Sequence, residues 1–306
     1  MSDGYHTPVL VAETLRRLDP GRGGIYFDGT LGGGGHSEAI LEAAGAARVI
    51  GADRDPEALR TARRRLERFG DRFEAREGDF ADVAERLESG LAGALLDLGV
   101  SSHQIDSVRR GFSFRPGAPL DMRMGAVAGG RTAAEILNEY EDSELLRVLW
   151  DYGEEKRARA IVRRIVERRR ERPFETSDDL VSVLESVYRH RLKPQDKARV
   201  FQALRIEVNE ELRSLERALP ALRDRLRPGG VLVVIAYHSL EDRRVKNAFR
   251  EWSRACVCPP DLPVCVCRGE PLGETLTSKV VRPTEEEVQR NPRARSARLR
   301  AWRRAA

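Results

Sequence analysis

The sequence predicts an α/β fold: a mostly parallel sheet interrupted by an all-helical insertion. Three observations carry the prediction. Short apolar runs alternate with helical patterns between residues 24 and 98, at spacings that suit strand–helix–strand units. From about Ile105 to Glu211 strand patterns are hard to find. The α/β pattern then returns at Val231.

The first strand is the apolar run Gly24–Phe27, ending at Asp28, and a glycine cluster follows it. Ser37–Ala44 reads as a helix with Ile40 and Leu41 on its apolar face. Arg48–Ala52 is the second strand, ending at Asp53. Pro56 suits the first turn of a helix in which Ala58, Leu59, Ala62, Leu66 and Phe69 recur at helical spacing. Phe73–Arg76 is a third strand, followed by Gly78-Asp79-Phe80 and a helix over Ala81–Leu87. Gly93–Leu98 is a fourth, with Asp97 near its end. Ligands of such sheets bind at the carboxyl ends of the strands, where Asp28, Asp53 and Asp97 all fall.

Within the insertion, Ala133–Asn138, Ser143–Tyr152, Glu155–Arg170, Ser177–Arg189 and Asp196–Leu219 are expected to be helical. In the third of these, Ala158, Ile161, Val162, Ile165 and Val166 form one stripe and leave the arginines outward. Arg227-Pro228-Gly229-Gly230 is a turn, Val231–Ala236 a buried strand and Leu240–Trp252 a helix. The expected division is therefore 1–105 with 212–306 as one domain and 106–211 as an inserted helical one.

The chain has 306 residues, 41% of them apolar, enough for a sizeable core. No apolar stretch approaches the ~18 residues a membrane span requires, and Met1–Pro8 has no signal-type apolar core, so the expected location is the cytoplasm. The formal charge of +5 is concentrated: seven Arg and no acid from Gln289 onward, and nine basic residues against Glu167 and Glu171 between Lys156 and Arg172. Such patches suit a polyanionic partner, although a solvated helix face and a frayed tail explain them equally well.

Asp28-Gly29-Thr30-Leu31-Gly32-Gly33-Gly34-Gly35-His36-Ser37 follows the first strand and opens a helix, the position of a ligand-binding loop. A phosphate-binding loop of the Walker type needs a Lys before Ser or Thr, and the first lysine in the chain is Lys156. A dinucleotide fingerprint fits poorly, since Ser37 or Glu38 stands where its third small residue belongs. S-adenosylmethionine fits better: acids are favourable beside its sulfonium and ammonium, Asp53 is placed for a ribose diol, and Phe80 offers a flat contact for adenine. Each piece also has a structural explanation. Asp53 can cap the helix at Pro56, and Phe80 can be core.

Eight blocks then carry a resemblance to a known family. They are His6-Thr7-Pro8-Val9-Leu10, Asp28-Gly29-Thr30 through Ser37, Gly51–Pro56, Leu96–Ser102, Arg110–Phe114, Pro119–Met124, His238–Arg243 and Asn291–Ser296. Together the chain resembles the bacterial 16S ribosomal RNA cytidine-N4 methyltransferases of the MraW type, from His6 to about Arg300. The resemblance implies a Rossmann-like S-adenosylmethionine-dependent methyltransferase domain with a helical substrate-recognition insertion. It places cofactor contacts on Gly34, Gly35, His36, Asp53, Phe80, Asp97 and Gln104. It implies 16S ribosomal RNA of the decoding region, within the small subunit, as partner and substrate. No membrane is involved, and the protein is expected to be a monomer or homodimer. His103 and Tyr237 depart from it, standing where Pro and Phe are expected.

The chemistry asks for a hydrogen-bond acceptor, because the cytosine amine is a poor nucleophile with its lone pair delocalised into the ring. Asp97 or nearby carbonyls would serve, since the Pro-Pro-aromatic motif of other amino-methyltransferases is replaced here by Leu98-Gly99-Val100. His238, just after a strand, is a candidate base or RNA contact, or else a histidine hydrogen-bonded at a strand end. Asp121 and Arg123, early in the insertion, either close over the site or form a structural salt bridge. Cys256, Cys258, Cys265 and Cys267 fall within twelve residues, the pattern of a structural zinc, of unpaired thiols or of redox disulfides. Three other functions compete with RNA methylation: a non-catalytic assembly factor, a nicotinamide-dependent oxidoreductase and a DNA amino-methyltransferase.

Overall fold

A computed structural model describes residues 8–125, 130–188, 192–258, 264, 267 and 269–306. His6, Thr7, Arg189, Cys265 and the prolines Pro259, Pro260 and Pro263 lie outside the described residues. The chain forms two compact units, Met1–Gly99 with Leu212–Ala306, and Val100–Glu211.

In chain order the first unit begins with α1 (Val11–Leu18), β1 (Gly24–Asp28), α2 (Gly35–Ala43), β2 (Ala47–Asp53), α3 (Pro56–Leu66), β3 (Phe73–Glu77), α4 (Phe80–Arg86) and β4 (Leu91–Asp97). The second unit contributes α5 (Ser102–Asp106), α6 (Ala133–Glu139), α7 (Asp142–Arg147), α8 (Ala158–Glu171), α9 (Ser177–Val187) and α10 (Pro194–Asn209). The chain continues through α11 (Glu211–Arg225), β5 (Leu226–Ala236), α12 (Ser239–Trp252), β6 (Gly273–Thr275), α13 (Glu285–Arg290) and β7 (Arg298–Arg304).

Local chemistry sets these boundaries. The Asp55 carboxylate accepts the Glu57 N–H at 3.0 Å and Pro56 occupies the first turn, so α3 starts there; its buried face is Ala58, Leu59, Ala62 and Leu66. β4 and β5 are apolar on both faces because they lie inside a sheet covered on both sides. The sheet order is β3-β2-β1-β4-β5-β7-β6. Strands β1 to β5 run parallel, while β7 runs antiparallel to both β5 and β6. Alternate residues feed opposite cores: Phe27, Leu96, Val234 and Trp302 on one face, Tyr26, Leu95, Val233 and Leu299 on the other. The strand order reverses between β1 and β4, which leaves a crevice at their carboxyl ends.

The structure corrects three expectations. The single helix expected over Asp196–Leu219 is two, because Glu210 takes a left-handed conformation (φ 50°, ψ 32°) that closes α10. The helix expected over Ser143–Tyr152 widens into a π turn at Val148–Tyr152. The arginine-rich end is no frayed tail. Leu299, Ala301 and Trp302 are fully buried, and Arg300 donates to Asp242 at 2.6 Å, so composition masked a strand.

The second unit packs its helices around Leu137, Ile161, Ile165, Leu184 and Leu204. The apolar stripe of α8 faces that core, and its arginines are partly spent on neighbours: Arg164 on Glu167, Arg168 on Asp179, and Arg169 on the Tyr140 carbonyl. Asp121 and Arg123 form a two-pronged salt bridge, with both N–H···O distances 2.8 Å.

Candidate functional site

The glycine loop after β1 is built from within. Asp28 is buried, and its carboxylate accepts the Ser37 hydroxyl at 2.7 Å and the Thr30 N–H at 3.3 Å. It therefore ties the two ends of the loop together. Burial pushes its pKa above the ordinary carboxylate value, against the pull of His36 and Ser37. Gly34 caps α2 with φ 80°, a conformation costly for residues with a Cβ. A Cβ on Gly35 would come within 2.9 Å of Pro8, so the segment before α1 can lie against the loop only because that Cβ is missing.

His36, in the first turn of α2, is buried and held by that segment: Nε2 lies 2.9 Å from the Val9 carbonyl. Leu10 adopts a left-handed φ of 56° while fully buried, and its N–H donates to Glu287 of α13 at 2.7 Å. Sequence reading missed this support, although Val9 and Leu10 sat in a recognised block.

Asp53 ends β2 with one carboxylate oxygen accepting the Gly32 N–H and the other the Asp55 N–H, each at 2.8 Å. Each oxygen has a second lone pair left for a ligand hydroxyl. Burial pushes Asp53 up to about 6, and the two amides pull it only part of the way back. Asp79 caps α4 through the Ala81 N–H at 2.8 Å and pairs with Arg54. Phe80 is the first residue of α4 and packs partly on the core.

Asp97 ends β4 on the other side of the crevice. Its N–H donates to the Thr30 hydroxyl at 2.6 Å, joining the strand end to the loop. Its carboxylate accepts the Tyr237 hydroxyl at 2.9 Å, and its other oxygen lies 3.7 Å from His36 Nδ1. The structure therefore brings His36 and Asp97 together, with Tyr237 as a third member. Burial and the Asp97 charge raise the Tyr237 hydroxyl well above the ordinary phenol value, so it stays a donor. β5 pairs with β4 so that Ile235 lies beside Asp97, which brings Tyr237, two residues later, to the carboxylate.

His238 precedes α12. The Glu241 carboxylate reaches back to the N–H groups of Tyr237 and His238 at 2.8 and 3.2 Å, and its other oxygen lies 3.1 Å from His238 Nε2. Glu241 is 2% exposed and holds the backbone here, while among the described residues neither ring nitrogen of His238 makes a hydrogen bond. Gln104 belongs to the second unit, where its side-chain oxygen accepts the Ser101 N–H at 3.0 Å. The Sγ atoms of Cys256, Cys258 and Cys267 all lie within 4.8 Å of one another.

The donor set suits S-adenosylmethionine. Acids at the strand ends suit a cationic ligand, and N–H groups at the amino end of α2 suit a carboxylate. Among the described residues no helix is long and apolar enough to cross a membrane.

Comparison with known proteins agrees. The family model described as the MraW methylase family matches residues 3–305. A protein of Gemmatimonas aurantiaca named ribosomal RNA small subunit methyltransferase H is 54% identical, covering 98% of this chain and 96% of its own length. The protein of that name from Pelobacter propionicus is 50% identical, covering 98% and 99%. A solved rRNA methylase from Streptococcus thermophilus covers 96% of this chain and 95% of its own, at 10% identity and a TM-score of 0.44, a likeness too slight to carry weight. With a family match over residues 3–305 and relatives at least 50% identical along nearly their whole length, this chain belongs to the MraW methylase family of methyltransferases.

Proposed function

We propose that this protein methylates the exocyclic N4 amine of a cytidine in the decoding region of 16S ribosomal RNA, in the small subunit and in the cytoplasm, with S-adenosylmethionine as donor. The observation that carries the reading is the Asp97 carboxylate, held by Tyr237 and beside His36 at the sheet's reversal point. The relatives' shared name supports the RNA part.

Bound at the crevice, S-adenosylmethionine supplies a methyl group already activated on a sulfonium. Gly34 and the first residues of α2, Gly35 and His36, would hold its amino-acid end, Asp53 would accept from the ribose hydroxyls and Phe80 would face the adenine, with Gln104 as a further contact. Asp97 accepts a hydrogen bond from the cytidine amine, which turns the nitrogen lone pair toward the methyl group. As the N–C bond forms and the S–C bond to the methyl group breaks, the sulfur keeping the electron pair, the amine proton passes to the Asp97 carboxylate. His238, beside Glu241 and with neither ring nitrogen hydrogen-bonded among the described residues, contacts the RNA or relays the proton onward. The inserted unit, 106–211 as read from the sequence, grips the surrounding RNA through outward arginines. The cytidine must be unstacked to reach the carboxylate.

The cysteines are a separate, structural part of the proposal: they hold zinc. Tetrahedral zinc with sulfur at ~2.3 Å places its ligands ~3.8 Å apart, compatible with the spacing of Cys256, Cys258 and Cys267. The Val257 N–H lies 3.4 Å from Cys267 Sγ, a donor that favours a thiolate. Elemental analysis of protein purified under reducing conditions should give one zinc per chain. Full thiol titration with no bound metal would remove this assignment.

The main test is nucleoside mass spectrometry of 16S ribosomal RNA from cells with and without the gene, with transfer of labelled methyl to purified small subunits. N4-methylated cytidine should depend on the gene. Binding to small subunits without methyl transfer would instead mark an assembly factor, and label entering duplex DNA would mark a DNA enzyme.

A further inference from the structure

The opposite end of the same strands carries a second feature. A cavity of about 430 Å³ opens where the strands begin, lined by Arg16 and Arg17 of α1, Arg22, Tyr26 of β1, Arg227 of β5 and Arg303 of β7. Arg22 is paired with Asp19 at 2.7 Å and Arg303 with Glu274 at 3.3 Å. Arg227 donates to the Gly23 carbonyl at 3.2 Å, an uncharged partner. Among the described residues Arg16, Arg17 and Arg227 have no carboxylate partner. Five guanidinium groups thus meet two carboxylates, leaving three positive charges unbalanced.

Several other arginines of the unit are matched by acids. Arg68 sits against Glu38 and Glu42, Arg217 against Asp82 and Glu85, and Arg300 against Asp242. Unmatched arginines gathered on a concave surface focus the field and attract anions, and their planar donor forks match phosphate oxygens. Small-molecule pockets are mostly apolar with few polar groups. Here the arginines come from three separate chain segments, and Arg22 and Arg303 are 58% and 41% exposed, an arrangement for a chain of phosphates passing over the surface. The one aromatic, Tyr26, is 1% exposed and its hydroxyl donates to the Asp19 carbonyl, so no ring face is offered to a base.

We propose that this cavity is a binding site for the sugar-phosphate backbone of the RNA substrate, remote from the methylation site. Ala92 lines the cavity and Asp97 lies five residues further along β4, so the two sites are about 17 Å apart at the rise of a strand. The contact positions the RNA without reading its sequence. The inference rests on RNA being the substrate.

The test compares the full chain with its Arg16→Glu/Arg17→Glu variant and with Arg227→Gln. Binding of purified small subunits is measured across a range of KCl concentrations, alongside melting and calorimetry with S-adenosylmethionine. The double variant should bind about tenfold or more weakly at 0.1 M salt, with a log affinity–log salt slope shallower by about 2. Arg227→Gln should flatten it by about 1, and melting and donor affinity should be unchanged in both. Affinity and slope equal to wild type would overturn the proposal while leaving RNA methylation standing. Inorganic phosphate that stabilises the wild type, with RNA binding unaffected in the variants, would overturn it in favour of a small-anion site. A wild type that neither binds nor methylates small subunits would take down the functional reading as well.

Discussion

At their carboxyl ends β1, β2 and β4 finish in Asp28, Asp53 and Asp97, whereas the amino ends of the sheet are ringed by Arg16, Arg17, Arg22, Arg227 and Arg303. The two rims are organised differently. Each carboxylate is withdrawn from water and individually held: Asp28 by the loop, Asp53 by two amides, Asp97 by Tyr237. The arginines are more exposed, and several are unmatched. A desolvated, oriented charge acts over one or two bonds and selects chemistry. An exposed charge acts through a salt-screened field and selects a class of partner. On the proposed reading, one sheet separates what reacts from what attracts.

The largest expected effect breaks the acid rim at its proposed acceptor. Asp97→Ala should lower methyl transfer by about 100- to 1000-fold, while calorimetry still detects donor binding. Normal turnover in that variant would remove Asp97 from the mechanism.

The next effect lies at Asp53. With its pKa raised to about 6, Asp53 becomes neutral below that pH and loses its charge for the donor. Donor affinity should fall as pH drops below about 6, by up to about tenfold per unit, and Asp53→Asn should flatten the dependence. Stability runs the other way. Between an unfolded value of ~3.9 and about 6 the folded state holds the extra proton, so rising pH through that window costs the ligand-free protein about 3 kcal/mol. Melting curves of wild type and Asp53→Asn from pH 4 to 7 would check the sign.

The smallest effect sharpens the comparison. Tyr237→Phe keeps the ring and removes one hydrogen bond to Asp97, worth about 1–3 kcal/mol because the acceptor is charged. Methyl transfer should fall about tenfold with donor affinity kept, since the carboxylate loses the donor that orients it. Unchanged turnover would make the hydroxyl a packing feature only.

The acid rim was legible in the sequence because each aspartate closes a short apolar run, and a strand's end can be read from where apolarity stops. What could not be read were the partners supplied from far along the chain. Tyr237 meets Asp97 across 140 positions and Glu287 meets Leu10 across 277, and nothing local signals such pairs. β7 was missed for another reason. Its arginines look like a solvated tail until Asp242, Glu274 and the carbonyls of Asp224 and Leu226 are present to receive them. The break at Glu210 was invisible because a left-handed glutamate has no marker in composition.

The position of β7 also has a consequence for biosynthesis. Chains emerge from the ribosome amino end first, yet β5 gains its second neighbour only when residues 298–304 arrive, and the anchor of Leu10 waits for Glu287. A nascent chain stalled before these segments would expose the edge of β5 and leave Val9 and His36 unsupported. It follows that the segment lying against the loop after β1 receives its last support only when residues 287–304 have been made.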